Sequence, residues 1–293
     1  MRVQKQEIKK SKKNSQAKEI WRRYRKSKTA MLGLILLILV VGMAVFADLI
    51  VPYENAITQD IPSRLQGPSL RHLFGTDEVG RDLFARIVHG SRYSLAIGIS
   101  TTVVSIIVGG LLGAVAAYYG GWVDNVIMRL TDVVMTVPPI LLSLAVVAAL
   151  GANLRNLLLA ITVSCVPGII RVVRSVVLGV IEEDYIEAAK SYGASNFRII
   201  LRYVIPNALG PIIVTATMNV ATMILSASGL SFLGMGVQPP APEWGALLSD
   251  AETYMFTAPY LLYIPGLFIV IAALSFNLAG DGLRDALDPK LKN

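Results

Sequence analysis

The chain has 293 residues, of which 54% are hydrophobic and 16% charged, and its formal net charge is +7. Because a soluble domain carries about 25% charged residues, this composition excludes an ordinary soluble protein and favours one embedded in a membrane. The only cysteine, Cys165, excludes a disulfide within the chain and a thiolate metal site.

Positive charge is concentrated at the start of the sequence. Residues 1–28 hold twelve Lys or Arg and two Glu, a balance of +10, which leaves −3 for the remainder. A long uncharged run follows directly, so the basic tail predicts a cytoplasmic N-terminus rather than nucleic-acid binding. The run is too long for a signal peptide and is followed by Asp48 and Pro52 without a cleavage motif. We therefore predict an uncleaved first span.

The last part of this tail has an interfacial character. Ile20–Lys28 combines Trp21 and Tyr24 with five cations. Such a segment is typical of a short helix lying at an anionic cytoplasmic surface.

Long uncharged runs predict about six membrane spans. A helix that crosses the bilayer needs roughly 20 mainly apolar residues, and five runs approach or exceed that length. A sixth, Asn156–Ile170, is shorter, but Arg155 and Arg171 flank it, and their long side chains can reach the interface. The predicted spans are residues 30–51, 93–118, 130–150, 156–170, 207–232 and 259–279.

The segments between the spans carry structural signals of their own. Prolines and glycines break residues 52–92 into irregular pieces, and the last part, Thr76–Tyr93, predicts an amphipathic helix capped by Asp77. Residues 120–129 predict a short loop. Pro138-Pro139 predicts a kink or a break in the third span.

Charge asymmetry between the connecting segments sets the predicted orientation. Residues 171–204 carry five cations and residues 233–258 carry only acids, which favours the cytoplasm for the first segment and the exterior for the second. The predicted organisation is a cytoplasmic basic tail (1–29), a first span (30–51), an extracytoplasmic segment (52–92), a five-span transmembrane domain (93–280) with a cytoplasmic loop at 182–206, and a cytoplasmic tail (281–293).

The loop at 182–206 begins with a short amphipathic helix. Four apolar residues are spaced i, i+3, i+4 and i+7, so they form one stripe along the helix. The stripe consists of Tyr185, Ala188, Ala189 and Tyr192. A helix of this kind packs against a membrane surface or into the groove of a partner.

A tight turn and a second helix follow this stripe. Gly193 stands where helices end in a left-handed residue. Ser195 is placed to cap a second helix over residues 196–204, which Pro206 is expected to limit. The loop is therefore predicted to be two short helices joined by a glycine turn.

The same segment resembles the EAA loop of permease subunits of ABC importers. That pattern has Glu-Ala-Ala, three residues, Gly, and a hydrophobic residue with Pro about a dozen residues later. Ile205 and Tyr203 replace the usual Leu and Ile and keep apolar bulk. The resemblance implies that the first short helix inserts into a cleft of an ATPase subunit. The residues to which it assigns coupling are Tyr185, Glu187, Ala188, Ala189, Tyr192, Gly193, Ile205 and Pro206.

Three further segments extend the resemblance to nearly the whole chain. They are GTDEVGRDLFARIVHGSRYSL (75–95), GLSFLGMGVQPPAPEWG (229–245) and FNLAGDGLRDALDP (276–289). They look like the C-type permease subunit of the dipeptide, oligopeptide and nickel importer family. The resemblance implies an all-α, type I ABC importer permease fold and transport of short peptides, while nickel, another metal complex and oligosaccharide stay open as solutes.

The resemblance also implies a set of partners. These are a second, similar permease subunit, two ABC ATPase subunits that bind ATP and Mg, an external solute-binding protein, and membrane lipid. The chain itself is expected to be neither an enzyme nor a holder of a cofactor, and no Walker A motif is present. Its expected location is a bacterial or archaeal cell membrane, with both termini in the cytoplasm.

Rival functions find less support in the sequence. The two histidines, His72 and His89, lack HExxH spacing, which argues against a zinc hydrolase. A secondary transporter or channel stays open, because Pro138-Pro139 and Pro167 are compatible with broken helices, although the spans hold almost no ionisable residues.

Charged residues outside the loop give two further predictions. Asp77, Arg81 and Asp82 are candidates for contact with the solute-binding protein, and an ordinary solvated amphipathic face is the alternative. Asp132 is predicted to pair with Arg129 near the cytoplasmic interface. Residues that bind the solute are not identified, and no metal site is predicted.

Overall fold

A computed structural model describes residues 16–287, which fold almost entirely into helices, as predicted. The remaining parts of the predicted tails lie outside the described residues. The helices are α1 Gln16–Tyr24, α2 Lys28–Val45, α3 Ala47–Ile50, α4 Glu54–Ile57, α5 Leu83–Tyr119, α6 Gly121–Met135, α7 Pro139–Leu150, α8 Leu154–Ile181, α9 Asp184–Ser191, α10 Asn196–Ile199, α11 Ile205–Phe232, α12 Trp244–Ala251 and α13 Tyr260–Leu287. Short 3₁₀ turns lie at Ile61–Ser63 and Glu252–Tyr254, and a π turn at Ile200–Val204.

The number of membrane-spanning helices agrees with the sequence. Within residues 16–287, five helices are long and apolar enough to cross a bilayer: α2, α5, α8, the continuous run Asn196–Phe232, and α13. α6 and α7 pass the same test only as a pair, and they are bent by 81° at the break between them. Counting this pair as one broken span gives six. The break falls at Pro138-Pro139, as expected.

The second span begins earlier than predicted and has a different cap. α5 starts at Leu83, and the Asp82 carboxylate accepts a hydrogen bond from the Ala85 amide at 2.9 Å. The prediction that Asp77 caps this helix is wrong, because Gly80, with φ of +82°, turns the chain between the two aspartates. The 37 residues of α5 extend over about 55 Å, so the helix projects beyond a hydrocarbon core of about 30 Å.

The third and fourth spans also differ from their predicted bounds. Residues 121–129 are helical instead of forming a loop. α8 continues to Ile181 rather than ending near residue 170, and Pro167 lies inside it. The reason is that Arg171 and Arg174 pair with acids on α6, so their charge is compensated along the helix.

Glycines allow the spans to approach each other closely. A Cβ atom at Gly113 of α5 would lie 2.6 Å from the Ile170 carbonyl oxygen of α8. One at Gly33 of α2 would lie 2.5 Å from the Leu278 Cβ of α13. Close approach of helices at small residues favours their association in lipid, where a hydrophobic drive between helices is absent.

The direction of the spans gives the bundle two distinct ends. Contacts of Gly109 and Gly113 with successive turns of α8 show that α5 and α8 run parallel, whereas Gly98 contacts Ile224 of α11, which runs the opposite way. α1, the 182–206 loop and the last turns of α13 therefore share one end, which we call the loop end. The 52–82 segment and α12 share the opposite end.

Candidate functional site

The first helix of the 182–206 loop has one face against the bundle and one face open. Ile186 is fully buried and Ala189 is buried beside it, in a cluster formed with the ends of α5 and α8. Tyr185 and Ala188 are exposed, and Tyr192 is 92% exposed. The predicted stripe therefore needs one correction: Ala189 faces the protein, while Tyr185, Ala188 and Tyr192 form an apolar surface without a covering element in the described chain. We call these three residues the docking face.

Gly193 makes the predicted turn. Its φ is +73°, a left-handed conformation that residues with a side chain adopt at a cost. Its amide donates to the Lys190 carbonyl at 2.9 Å, and the Ala194 amide donates to the Ala189 carbonyl at 3.1 Å. These bonds end α9 and fix the direction in which the chain leaves it. A Cβ at Gly193 would meet no atom within 4 Å, so the requirement for glycine is conformational rather than steric.

The second helix of the loop continues into the fifth span. The Ser195 hydroxyl accepts from the Arg198 amide at 3.4 Å and caps the helix as predicted. The prediction that Pro206 limits the helix is wrong, since the chain stays helical to Phe232. A π turn over Ile200–Val204 widens the helix just before Pro206, where the proline ring would otherwise meet the carbonyl four residues earlier.

Tyr118, near the end of α5, joins both helices of the loop. Its hydroxyl donates to the Asn196 side-chain oxygen at 2.9 Å, and the Lys190 ammonium lies 5.8 Å from the centre of its ring. Tyr118 was not among the residues predicted to act in the loop, although a tyrosine pair at the end of a span is a common interfacial signal. Tyr118 attaches the loop to a helix that extends to the opposite end of the bundle.

Two ion pairs attach the bent α6–α7 pair to α8. The Arg174 guanidinium contacts both Asp124 carboxylate oxygens at 2.5 Å, a two-bond geometry that fixes orientation as well as distance. Arg171 contacts Asp132 at 2.5 Å, so the predicted Arg129–Asp132 pair is replaced by this one. The last turns of α8, which lead into the loop, are therefore tied to the broken span.

A cavity of about 380 Å³ lies between α6–α7, α8 and α11. α11 contributes four uncharged polar residues to its wall, spaced i, i+4, i+7 and i+11 and therefore on one helix face. They are Thr215, Asn219, Thr222 and Ser226. Thr215 donates to a carbonyl of its own helix, whereas the other three side chains make no hydrogen bond within residues 16–287. Polar groups on a span are costly against lipid, so this polar face is suited to water or solute.

The charged residues of the opposite end form a buried network. Asp77 and Arg81, proposed above as contacts for a solute-binding protein, are both buried, and their side chains pair at 2.6 Å. Asp77 also pairs with Arg86, which lies 3.5 Å from Asp250. The half-buried Asp82 caps α5 and contacts His72 at 2.8 Å. The amphipathic face predicted for these residues is thus corrected: the Asp77 and Arg81 side chains stabilise the fold and are not available at the surface.

Glu243 is a second buried acid of this end. It is fully buried and caps α12, where its carboxyl oxygens accept from the Gly245 amide at 3.0 Å and the Ala246 amide at 2.9 Å. The Ser94 hydroxyl donates to it at 3.0 Å. Burial raises the pKa of Glu243 despite these hydrogen bonds, because desolvation penalises the charged form.

We expect Glu243→Gln to destabilise the protein by about 1–3 kcal/mol, since an amide nitrogen cannot accept one of the two backbone bonds. The folded state raises the pKa of Glu243. Its contribution to the free energy of unfolding is therefore full at low pH and declines as pH rises from the ordinary pKa range of glutamate through the raised pKa. The stability gap between wild type and Glu243→Gln should therefore narrow as pH rises. Thermal melts at several pH values measure this, and a gap that widens contradicts the raised pKa.

Comparison with known protein families identifies the chain. Residues 105–293 match the family described as "Binding-protein-dependent transport system inner membrane component". The chain belongs to this family. Residues 15–68 match a second one, the N-terminal TM domain of oligopeptide transport permease C. The permease thus consists of the family's membrane domain preceded by an additional N-terminal span.

Curated relatives place the permease within the peptide branch of the family. It is 46% identical over 276 residues to the dipeptide transport system permease protein DppC of Alkalihalophilus pseudofirmus, covering 94% of this chain and 90% of the relative. It is 44% identical over 274 residues to the glutathione transport system permease protein GsiD of Escherichia coli, with the same coverage. The predicted resemblance to a dipeptide and oligopeptide C-type permease is confirmed.

A solved structure with the same fold supports the architecture. A chain of the MetNI methionine ABC transporter in an inward-facing conformation superposes with a TM-score of 0.60 at 20% identity, covering 70% of the permease and 98% of that chain. The predicted ABC importer permease fold is confirmed. The family is one of transport subunits in membranes, and this membership leaves no support for the alternative of a secondary transporter or channel.

Proposed function

We propose that the permease is one of the two membrane subunits of an ATP-driven importer of short peptides. The support for the solute comes from the names of the relatives, which specify dipeptide and glutathione, itself a tripeptide. The partners we propose are a second permease subunit, two ATPase subunits that bind ATP and Mg, and an external solute-binding protein. The loop end would face the cytoplasm, in agreement with the basic charge of α1 and its flanks.

The observation that carries the proposed coupling is the docking face. Tyr185, Ala188 and Tyr192 expose apolar area on a short helix whose other face is fixed to α5 and α8. In this proposal the docking face fills a cleft of an ATPase subunit. Closure of the ATPase pair on ATP would displace the loop, and the attachments of the loop would carry that displacement into the spans. ATP binding can change the conformation of the permease only if it favours one of two conformations over the other.

Two attachments are suited to carrying this displacement. Tyr118 links the loop to α5, and Arg174 links the end of α8 to the bent pair through Asp124. α8 borders the cavity, and α5 packs against α8. Movement of the loop would thus alter the width of the cavity between α6–α7, α8 and α11.

The polar face of α11 is our candidate for the wall of the translocation pathway. Its groups are uncharged hydrogen-bond donors and acceptors, which suit the peptide backbone common to all short peptides and favour no particular side chain. Asn219 is central, because its amide offers both a donor and an acceptor. The other half of the pathway would come from the second permease subunit.

Uptake by the complete importer in proteoliposomes tests the solute. Radiolabelled dipeptide, glutathione and nickel would be compared with ATP enclosed on the side of the ATPase subunits. We expect ATP-dependent accumulation of dipeptide and none of nickel. Nickel uptake without peptide uptake would reject the peptide proposal and leave the permease assignment intact.

Removal of polarity from the α11 face tests the pathway. We expect Asn219→Leu with Thr222→Val to reduce peptide uptake about thirtyfold while ATP hydrolysis persists, since each of two lost hydrogen bonds in a water-poor site costs about 1 kcal/mol. Thr217→Val is the matched control, because Thr217 lies on the other side of α11 and bonds to its own helix. Equal uptake by both variants would remove this face from the pathway.

A further inference from the structure

We propose that an anionic phospholipid occupies a groove between α1, α2, α11 and α13 at the loop end. The groove has a volume of about 420 Å³ and opens to the outside of the bundle. This inference concerns lipid and does not rest on which solute the permease transports.

The position of α1 is fixed, which makes the groove a formed feature. Tyr24 is buried, and its hydroxyl donates to the Ala30 carbonyl of α2 at 3.1 Å and lies 3.5 Å from the Ala279 carbonyl of α13. The side chains of Tyr24, Ala30 and Ala286 form a small core of their own. α1 is therefore held against two spans and does not merely lie on the membrane surface.

The wall of the groove is apolar. Trp21 stacks on Tyr24 with ring centres 6.0 Å apart and planes 9° from parallel, and it remains 48% exposed. Leu34 and Leu283 line the groove from the two spans. The one hydroxyl on the α11 side, of Thr217, donates to a carbonyl of its own helix at 2.9 Å. A ligand in the groove needs no polar groups there, which suits a hydrocarbon chain.

The chain near the groove supplies positive charge. The exposed cations on and just after α1 are Lys18, Arg22, Arg25, Lys26 and Lys28. None of these five forms an ion pair with another residue of the 16–287 range. Basic residues at this depth attract anionic headgroups, and tryptophan favours the level where headgroup and chain meet. An apolar groove lined by α1, together with basic residues on and after that helix that have no ion pair within residues 16–287, therefore fits a lipid with an acyl chain and a negatively charged phosphate group.

Native mass spectrometry of the assembled importer tests the proposal. The detergent-purified complex would be titrated with phosphatidylglycerol or with phosphatidylcholine of the same chains. We expect phosphatidylglycerol to bind about tenfold more tightly or better. Arg22→Gln with Arg25→Gln should reduce this preference severalfold, because two of the five exposed cations are lost. The matched control, Arg71→Gln with Arg155→Gln, removes the same charge from two exposed residues away from α1. This variant should keep the wild-type preference for phosphatidylglycerol.

A second variant tests the groove itself. Leu34→Phe adds bulk inside it and should weaken binding of both lipids, whereas Leu32→Phe, on the exposed side of α2, should not. Equal affinity for the two lipids in the wild type, an unchanged preference in the Arg22→Gln/Arg25→Gln variant, or absence of bound lipid because a partner subunit covers the groove would each overturn the proposal. If Leu34→Phe fails to assemble, the Arg22→Gln/Arg25→Gln variant still tests the proposal, because both arginine side chains lie at the surface and their replacement should not disturb folding.

Discussion

Placing aspartate on the docking face is expected to abolish ATP-driven uptake. In the variant Tyr185→Asp/Ala188→Asp/Tyr192→Asp, three exposed positions become charged while the buried Ile186 and Ala189 are untouched. Burying an unpaired charge in an apolar cleft costs several kcal/mol, and three such charges exceed what a docked short helix gains. We expect uptake to fall by about a hundredfold or more, with normal insertion, and stimulation of the ATPase by solute to be lost.

A conservative variant controls for this experiment. Tyr185→Phe/Tyr192→Phe keeps the apolar rings and removes only the hydroxyl groups, so it should transport at close to the wild-type rate. Uptake and ATP hydrolysis would be measured in proteoliposomes, with the amount of inserted permease quantified by labelling. Wild-type uptake by a correctly inserted triple aspartate variant would show that the loop is not the coupling element.

Removal of the Asp77 carboxylate should have the largest effect on stability. Its carboxylate accepts from the Arg81 guanidinium at 2.6 Å and pairs with Arg86, and all three side chains are buried. Loss of one partner from a buried ion pair leaves an uncompensated charge, which costs about 3–5 kcal/mol. For a chain of this size we expect Asp77→Asn to lower the melting temperature by about 10 °C.

Two nearby acids do not replace Asp77. Glu78 contacts Arg81 at 2.8 Å and the half-buried Asp250 lies 3.5 Å from Arg86, but burial raises the pKa of both carboxyl groups, which reduces the charge they offer. Glu54→Gln is the matched control, because this acid is exposed in the same 52–82 segment and has no ion pair among the described residues. Equal melting temperatures for Asp77→Asn and Glu54→Gln would contradict a structural role for the network.

Local patterns in the sequence predicted the loop well. The spacing of Tyr185, Ala188 and Tyr192 and the position of Gly193 depend only on helix geometry and on backbone preference, which neighbouring residues determine. The inward position of Ala189 was missed, because the side of a stripe that is covered depends on where the ends of α5 and α8 lie. Two helix ends were also predicted wrongly, at residue 170 and at Pro206. The ion pairs that let α8 continue past residue 170 and the π turn before Pro206 leave no trace in the periodicity of apolar residues.

Charged and polar residues were harder to assign than apolar ones. Asp77 and Arg81 have the spacing of a solvated helix face, and only their proximity to Arg86 and Asp250 distinguishes a buried network from such a face. The α11 face from Thr215 to Ser226 is visible as helical spacing, but its significance comes from the cavity opposite. Polar residues in a span identify a site only when the structure supplies what they face.

Site-directed cross-linking at Tyr192 tests the central claim most directly. In a Cys165→Ser background, Tyr192→Cys would carry a photoactivatable maleimide in the assembled importer, and Arg71→Cys would carry it at the opposite end of the bundle. When the permease is labelled before assembly, we predict a cross-link to an ATPase subunit from residue 192 and none from residue 71. When the complex is assembled first, we predict that the cysteine introduced at position 192 is protected from labelling. Cross-linking to the ATPase from residue 71, or none from residue 192, would contradict the account.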